Sequence, residues 1–144
     1  MLIEDFVPIS RSVWITNALL RAHGTEIARA AARAAVPTES LTLGPPRTRA
    51  DSLVVPITWS PHRPSAFEDL QGDLQTSPLD ELSTHLALNA SCHIPADALG
   101  HRALSRDAER AAHRFVRAFL THLATELEHR TPVPVDPRSG PSRE

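Results

Sequence analysis

The feature that most constrains the fold is an amphipathic stretch near the end of the chain, over residues 105–130. Its apolar side chains recur at intervals of one, three or four residues, the spacing of one face of an α-helix. They are Ala108, Ala112, Phe115, Val116, Phe119, Leu120, Leu123, Ala124 and Leu127. Ser105 is a candidate N-cap, and Pro132 lies just beyond the predicted end. About 25 residues give a helix roughly 37 Å long, which needs a broad apolar surface to pack against.

Composition limits what such a chain can do. Its 144 residues suffice for one domain with a single core. The net charge is −2 and all 15 basic residues are Arg, so we expect no general attraction to nucleic acid, despite Arg21, Arg29 and Arg33 on an early helix. No apolar run reaches the roughly 20 residues of a membrane span. The N-terminus does not resemble a signal peptide, and the lone Cys92 excludes an internal disulfide. We expect a cytoplasmic protein without a cofactor.

The first part of the chain predicts a strand and two short helices. Residues 2–9 are apolar and rich in strand-forming side chains. Ser10 or Ser12 then caps a helix that ends at Gly24, and Thr25 caps a second helix over residues 26–35. The predicted inner faces of these helices are Val13, Trp14, Ala18 and Leu19, then Ile27, Ala30, Ala31 and Ala34.

From Leu41 onward the apolar period changes from helical to two, which predicts an antiparallel sheet. A short strand at Leu41 and Leu43 leads to a polar turn over residues 47–51. Residues 53–60 form a strand in which Pro56, having no N–H, must lie at an edge or a bulge. A weaker strand signal follows, at Phe67, Leu70, Gly72 and Leu74. A reverse turn is predicted over residues 77–81.

The clearest strand signal spans residues 82–94. One parity, predicted to face the core, holds Leu82, Thr84, Leu86, Leu88, Ala90, Cys92 and Ile94. The other parity includes His85 and His93, which should face water. The order of elements predicts an α+β fold in which a curved antiparallel sheet packs on the long C-terminal helix. We assign residues 1–130 to this domain and residues 131–144, with four Pro, to a disordered tail.

Several short segments resemble START-like proteins, also called the SRPBCC or Bet v 1-like superfamily. The opening Phe-Val-Pro-Ile-Ser-Arg-Ser-Val-Trp, residues 6–14, is similar to their first strand and helix entry. Residues 55–59, 72–74 and 78–79 resemble an uncharacterised actinobacterial branch. The resemblance implies a helix-grip fold that binds lipids, polyketides, sterols or aromatic metabolites, and some members are polyketide cyclases or dehydratases. The five or six strands predicted here are fewer than is usual there, which implies a smaller cavity or none.

The resemblance and the predicted faces together indicate a ligand site between sheet and helix. We predict that the pocket is lined by Trp59, Leu74, Leu86, Leu88, His101, Phe115 and Phe119. Its partner would be an apolar small molecule, bound with or without catalysis. The alternative is a non-catalytic interaction module that forms a homodimer or binds a partner protein, through the strand near Pro56 or the Ala-rich helix.

No group of residues forms a recognisable catalytic or metal motif. His122, Glu126 and His129 share a helix side, but their spacing does not match the zinc-protease pattern, so a solvated face is expected. Ser91 and His93 share a strand face without a third partner. Asp69 and Asp73 are expected to be solvated. We therefore assign no catalytic residue and no metal.

Overall fold

A computed structural model describes residues 1–35, 39–61, 69–92 and 102–133. The strands are β1 (Leu2–Ile9), β2 (Glu39–Leu43), β3 (Arg47–Arg49), β4 (Ser52–Pro61), β5 (Leu70–Asp80) and β6 (Ser83–Cys92). The helices are α1 (Val13–Ala35) and α2 (Arg102–His129). The fold is α+β, as the sequence predicts.

The strands form one antiparallel sheet in the order β1-β6-β5-β4-β2, with β3 also paired to β4. The first strand therefore pairs with the last, and α1 carries the chain from the β1 edge to the β2 edge. Helix α2 contacts β1, β6 and α1. Every member of its predicted apolar stripe is at most 8% exposed, from Ala108 to Leu127. A single hydrophobic cluster joins the stripe from Ala112 to Leu127 to the inner faces of the sheet, which confirms the predicted packing.

Helix α2 begins earlier than its N-cap prediction allows. The chain is already helical at Arg102, so Ser105 lies inside the helix and is not its N-cap. Ser12 does cap α1, since its hydroxyl accepts a hydrogen bond from the Ile15 N–H at 3.3 Å. The two predicted early helices are the two segments of α1, joined at a kink where His23 is non-helical (φ −134°, ψ 21°). Thr25 is helical, so the break falls two residues before its predicted cap.

The inner face of α1 differs from the prediction. Trp14 is 50% exposed, whereas Thr16 is fully buried and lies 3.4 Å from the Thr84 hydroxyl. That contact orients the first segment, so Trp14 faces outward. In the second segment the buried residues are Ile27, Ala28, Ala31 and Ala32, a face rotated from the predicted one.

Pro56 lies in an interior strand, at a break in the neighbouring edge strand. Strands β2 and β3 pair with successive parts of β4, and Gly44 between them donates its N–H to the Pro56 carbonyl at 2.8 Å. In an antiparallel strand the N–H and C=O of one residue point the same way, so the missing N–H of Pro56 faces this break. The prediction that Pro56 lies on an edge strand is wrong. The alternative, an irregularity in strand pairing such as a bulge, is closer to the structure. The predicted turn over residues 47–51 includes β3, leaving Ala50 and Asp51 as the turn.

The β5–β6 turn lies further along the chain than predicted. Strand β5 continues to Asp80 through a register shift after Pro78, and the turn is at Glu81 and Leu82. The Asp80 carboxylate accepts the Leu82 N–H at 2.8 Å, and this bond lowers the pKa of Asp80. Leu82 is 78% exposed instead of buried, because it belongs to the turn.

Some predictions fall on residues outside the described part of the chain. They are His93, Ile94, the loop after Pro61, Phe67 and the connection before Arg102. The disordered tail also stays a prediction, although Val133 packs against the core at its start. No described helix combines the length and apolar character that a membrane span requires.

Candidate ligand site between the sheet and the last helix

Six of the seven predicted pocket residues point into the interior between the sheet and α2. Trp59 lies on β4, Leu74 on β5, Leu86 and Leu88 on β6, and Phe115 and Phe119 on α2. Each is at most 5% exposed, and all belong to the same hydrophobic cluster. His101 lies outside the described residues. The structure brings these six side chains together as packed core, and their contact with a ligand stays a prediction.

An aromatic row crosses this interior. The ring centroids of Trp59 and Phe115 are 4.5 Å apart at a tilt of 31°, and those of Phe115 and Phe119 are 6.0 Å apart and nearly parallel. Such contacts stabilise aromatic pairs beyond simple burial. The row lies near the end of the sheet where Trp59 pairs with Leu70, and Leu70 with Cys92.

Cys92 is the ionisable side chain that the described interior contains. It is 2% exposed, and burial raises the pKa of its thiol to about 11. The thiol is therefore protonated at neutral pH and is a poor nucleophile, since the thiolate is the reactive form. The arrangement suits apolar contact better than acid–base chemistry.

The opposite end of the interior is closed by buried hydroxyl groups. The Thr84 hydroxyl donates to the Arg11 carbonyl oxygen at 2.7 Å. Thr76 donates to Asn17 Oδ1 at 2.6 Å and accepts the Leu53 N–H at 3.0 Å. These bonds tie the start of α1 to β4, β5 and β6, so the hydroxyl groups already have protein partners.

The remaining polar candidates lie on the surface. His85 faces outward, as predicted, with its ring centroid 4.9 Å from that of Phe6. Glu126 accepts a 3.1 Å hydrogen bond from Arg130, and His129 Nδ1 lies 2.8 Å from the Thr125 carbonyl oxygen. Within the described ranges, no three His, Cys, Asp or Glu residues are grouped closely enough to hold a metal ion.

A second concavity was not predicted from the sequence. A cleft of about 530 Å³ lies between α1 and the β2–β3 edge, lined by Arg21, Arg29 and Arg33 and by Leu43 and Pro46. The four-residue spacing of Arg29 and Arg33 places both side chains on one face of α1, and this was the sign of a basic surface in the sequence. The sequence did not show that β2 and β3 lie close to this face and form the other wall of the cleft.

Comparisons with known proteins identify the fold. No protein-family model matches the sequence, and no curated protein matches it. Among solved structures, the ZhuI aromatase/cyclase from Streptomyces sp. R1128 superposes with a TM-score of 0.52 at 17% identity, covering 90% of this chain and 94% of that one. The chain has the START-like fold. TTHA0849 from Thermus thermophilus gives a TM-score of 0.57 at 14% identity, covering 88% of this chain and 97% of that one.

A two-domain protein shows the same START-like fold. The di-domain ARO/CYC StfQ from the steffimycin biosynthetic pathway gives a TM-score of 0.51 at 15% identity. The match covers 88% of this chain and 49% of StfQ, so this chain spans about half of that protein. The helix-grip architecture predicted from the sequence is thus confirmed, and the actinobacterial branch stays a prediction.

Proposed function

We propose that this START-like protein binds an apolar small molecule, a lipid, polyketide or aromatic metabolite, between the sheet and α2. The observation that carries the proposal is the aromatic row of Trp59, Phe115 and Phe119, set in a continuous apolar interior. Aromatic side chains with few polar neighbours are typical of small-molecule sites. The fold shared with aromatase/cyclases adds support as an analogy.

We place the ligand near Phe115, at the N-terminal half of α2. Buried side chains there are small, at Ala108 and Ala112, whereas the C-terminal half buries Leu120, Leu123 and Leu127. A ligand that enters beside Ala112 displaces fewer atoms than one that enters further along. Phe115, at 5% exposure, is the least buried ring of the row and is the side chain expected to move.

The proposal concerns binding, and no described residue is assigned a catalytic role. Acid–base catalysis needs a titratable group within hydrogen-bond reach of the substrate, and nucleophilic catalysis needs an activated nucleophile. The described interior offers only the Cys92 thiol, whose raised pKa keeps it protonated.

Tryptophan emission tests the proposal, because the two Trp side chains differ sharply in exposure. Trp59 is 1% exposed and Trp14 is 50% exposed. In Trp14→Phe the buried Trp59 is therefore the sole source of tryptophan emission. Long-chain fatty acids and polycyclic phenols are titrated into this variant, and we expect a saturable change in emission with a rise in melting temperature. Trp59→Phe is the matched control, in which the emission change should be absent. Unchanged emission and melting temperature across the whole set would refute binding at this site.

The alternative, a protein-interaction module, stays a prediction. Pro56 is not on an edge, and helix side chains cover parts of both real edges. Arg117 donates to the Phe6 carbonyl oxygen at 3.3 Å on β1, and Arg29 donates to the Leu41 carbonyl oxygen at 3.2 Å on β2. Blocking of backbone groups in this way disfavours strand-to-strand association.

A further inference from the structure

The cleft between α1 and the β2–β3 edge has the dimensions of a ligand site. Its volume of about 530 Å³ lies within the range of roughly 300–1,000 Å³ that is usual for small-molecule pockets. One wall is the kinked part of α1, and the other is formed by Leu43, Gly44 and Pro46. This cleft is separate from the aromatic row, none of whose rings lines it.

A stripe of basic side chains runs along the α1 wall. Arg21 lies before the kink and Arg29 and Arg33 lie after it, four residues apart on the same helix segment, and all three line the cleft. Like charges four residues apart on a helix repel each other. The lining includes one carboxylate, Glu26, which already lies 3.5 Å from Arg130 and 3.9 Å from His23. The stripe is thus an arrangement that an added anion would stabilise.

Two of these guanidinium groups are held in place by neutral acceptors. Arg21 donates to the Thr48 hydroxyl, and Arg29 Nε donates to the Leu41 carbonyl oxygen at 3.2 Å. These bonds restrict the side chains without neutralising their charge. The cleft lining contains three guanidinium groups and one carboxylate, that of Glu26, so its net charge is two positive charges.

The floor of the cleft is apolar. Leu20 and Val55, 4% and 3% exposed, lie beneath it, and the half-buried Leu43 forms its side. We propose that this cleft binds a small molecule carrying a dianionic group, such as a phosphate monoester, on an apolar body. The arginine stripe would hold the phosphate through charge-assisted hydrogen bonds, and Leu20, Leu43 and Val55 would contact the body.

Phenyl phosphate is the probe, titrated into uniformly ¹⁵N-labelled protein and followed by amide chemical shifts. We expect saturable shifts at Gly24, Arg33 and Gly44. Benzoate carries a similar ring with a single charge, and inorganic phosphate lacks the ring, so both should bind more weakly. Arg33→Gln and Arg21→Gln should each weaken phenyl phosphate binding by about tenfold or more, the usual effect of losing a hydrogen bond to a charged group.

Arg114→Gln is the matched control. It removes the same charge from an exposed position on α2 that is outside the cleft lining. We expect it to leave the affinity unchanged, and we expect Arg33→Gln to melt no lower than the parent protein because a like-charge repulsion is relieved. Absence of saturable shifts would overturn the proposal, as would equal weakening by Arg114→Gln. Benzoate binding as tight as that of phenyl phosphate would overturn the dianion assignment. None of these outcomes depends on the site at Trp59.

Discussion

At the residue scale, Gly72 occupies a position that no larger side chain fits. It pairs with Ala90 of β6, and a Cβ placed on it would lie 2.1 Å from the Asn89 carbonyl oxygen and 2.6 Å from the Ala90 Cα. Backbone atoms cannot yield as a flexible side chain would. The two strands would have to separate locally to accept an added methyl group.

We therefore expect Gly72→Ala to destabilise the fold by about 2–3 kcal/mol, the cost of overpacking a rigid site. Gly24→Ala is the control, because its Cβ would meet only Leu43 Cδ1, at 3.4 Å. That change should alter the free energy of unfolding by less than about 1 kcal/mol. Urea denaturation measures both variants, and equal midpoints would show that the sheet accommodates the methyl group.

Cys92 gives a prediction of pH dependence. Its folded pKa, raised to about 11 from 9.0, means that the folded state favours the neutral thiol. Stability from this group is fully present below pH 9 and is lost as the pH rises through 11, since the unfolded chain ionises first. We expect the melting temperature of the parent protein to fall more between pH 9 and 11 than that of Cys92→Ser. Thiol alkylation at pH 8 should also be slow unless the protein is unfolded. Parallel pH profiles for the two proteins, or rapid alkylation of the folded protein, would contradict burial of the thiol.

The residues that sequence reasoning misplaced have identifiable physical reasons. Hydropathy predicts that Trp14 points inward, but the side chain that points inward in this turn is Thr16, whose hydroxyl lies next to that of Thr84. A pattern based on apolar residues does not identify a buried threonine. Leu82 fits the period of β6 but belongs to the turn, where Asp80 sets the backbone. Periodicity places residues well within an element and poorly at its ends.

At the element scale, the packing of α2 on the sheet holds the fold together. Phe119 is fully buried on this interface, whereas Phe6 is 58% exposed on the outer face of β1. We expect Phe119→Ala to lower the free energy of unfolding by about 3–5 kcal/mol, through lost burial and the cavity left behind. Phe6→Ala, the same chemical change on the surface, should cost less than about 1 kcal/mol. Chemical denaturation of both variants would disprove the role of α2 if the two losses were similar.

Elements with a strong period were predictable, and those defined by pairing were not. The stripe of α2 and the alternation of β4 and β6 were evident in the sequence. Strand β3 is exposed at all three residues, Arg47 to Arg49, so hydropathy gave no sign of it. It exists because β4 extends beyond β2 and offers free backbone groups. The break opposite Pro56 likewise depends on two strands meeting one partner.

At the scale of the whole molecule, the architecture follows from one requirement: the apolar faces of α2 and of the sheet must be buried. Both faces are recognisable in the sequence, so the helix-grip arrangement could be predicted. How completely the side chains fill the interior could not be predicted, because it depends on how side-chain volumes add up between layers. The basic cleft was equally hidden, since its walls come from α1 and from strands that follow it in the chain.

Native mass spectrometry is the most direct test of ligand binding between the sheet and α2. Freshly purified protein is measured before and after incubation with long-chain fatty acids and polycyclic phenols. We expect a noncovalent adduct of one molecule per chain that is lost on denaturation, and a much weaker adduct in Phe115→Trp, where a larger ring fills the proposed space. A spectrum showing only the bare chain under every condition, or an adduct that Phe115→Trp leaves unchanged, would contradict the account.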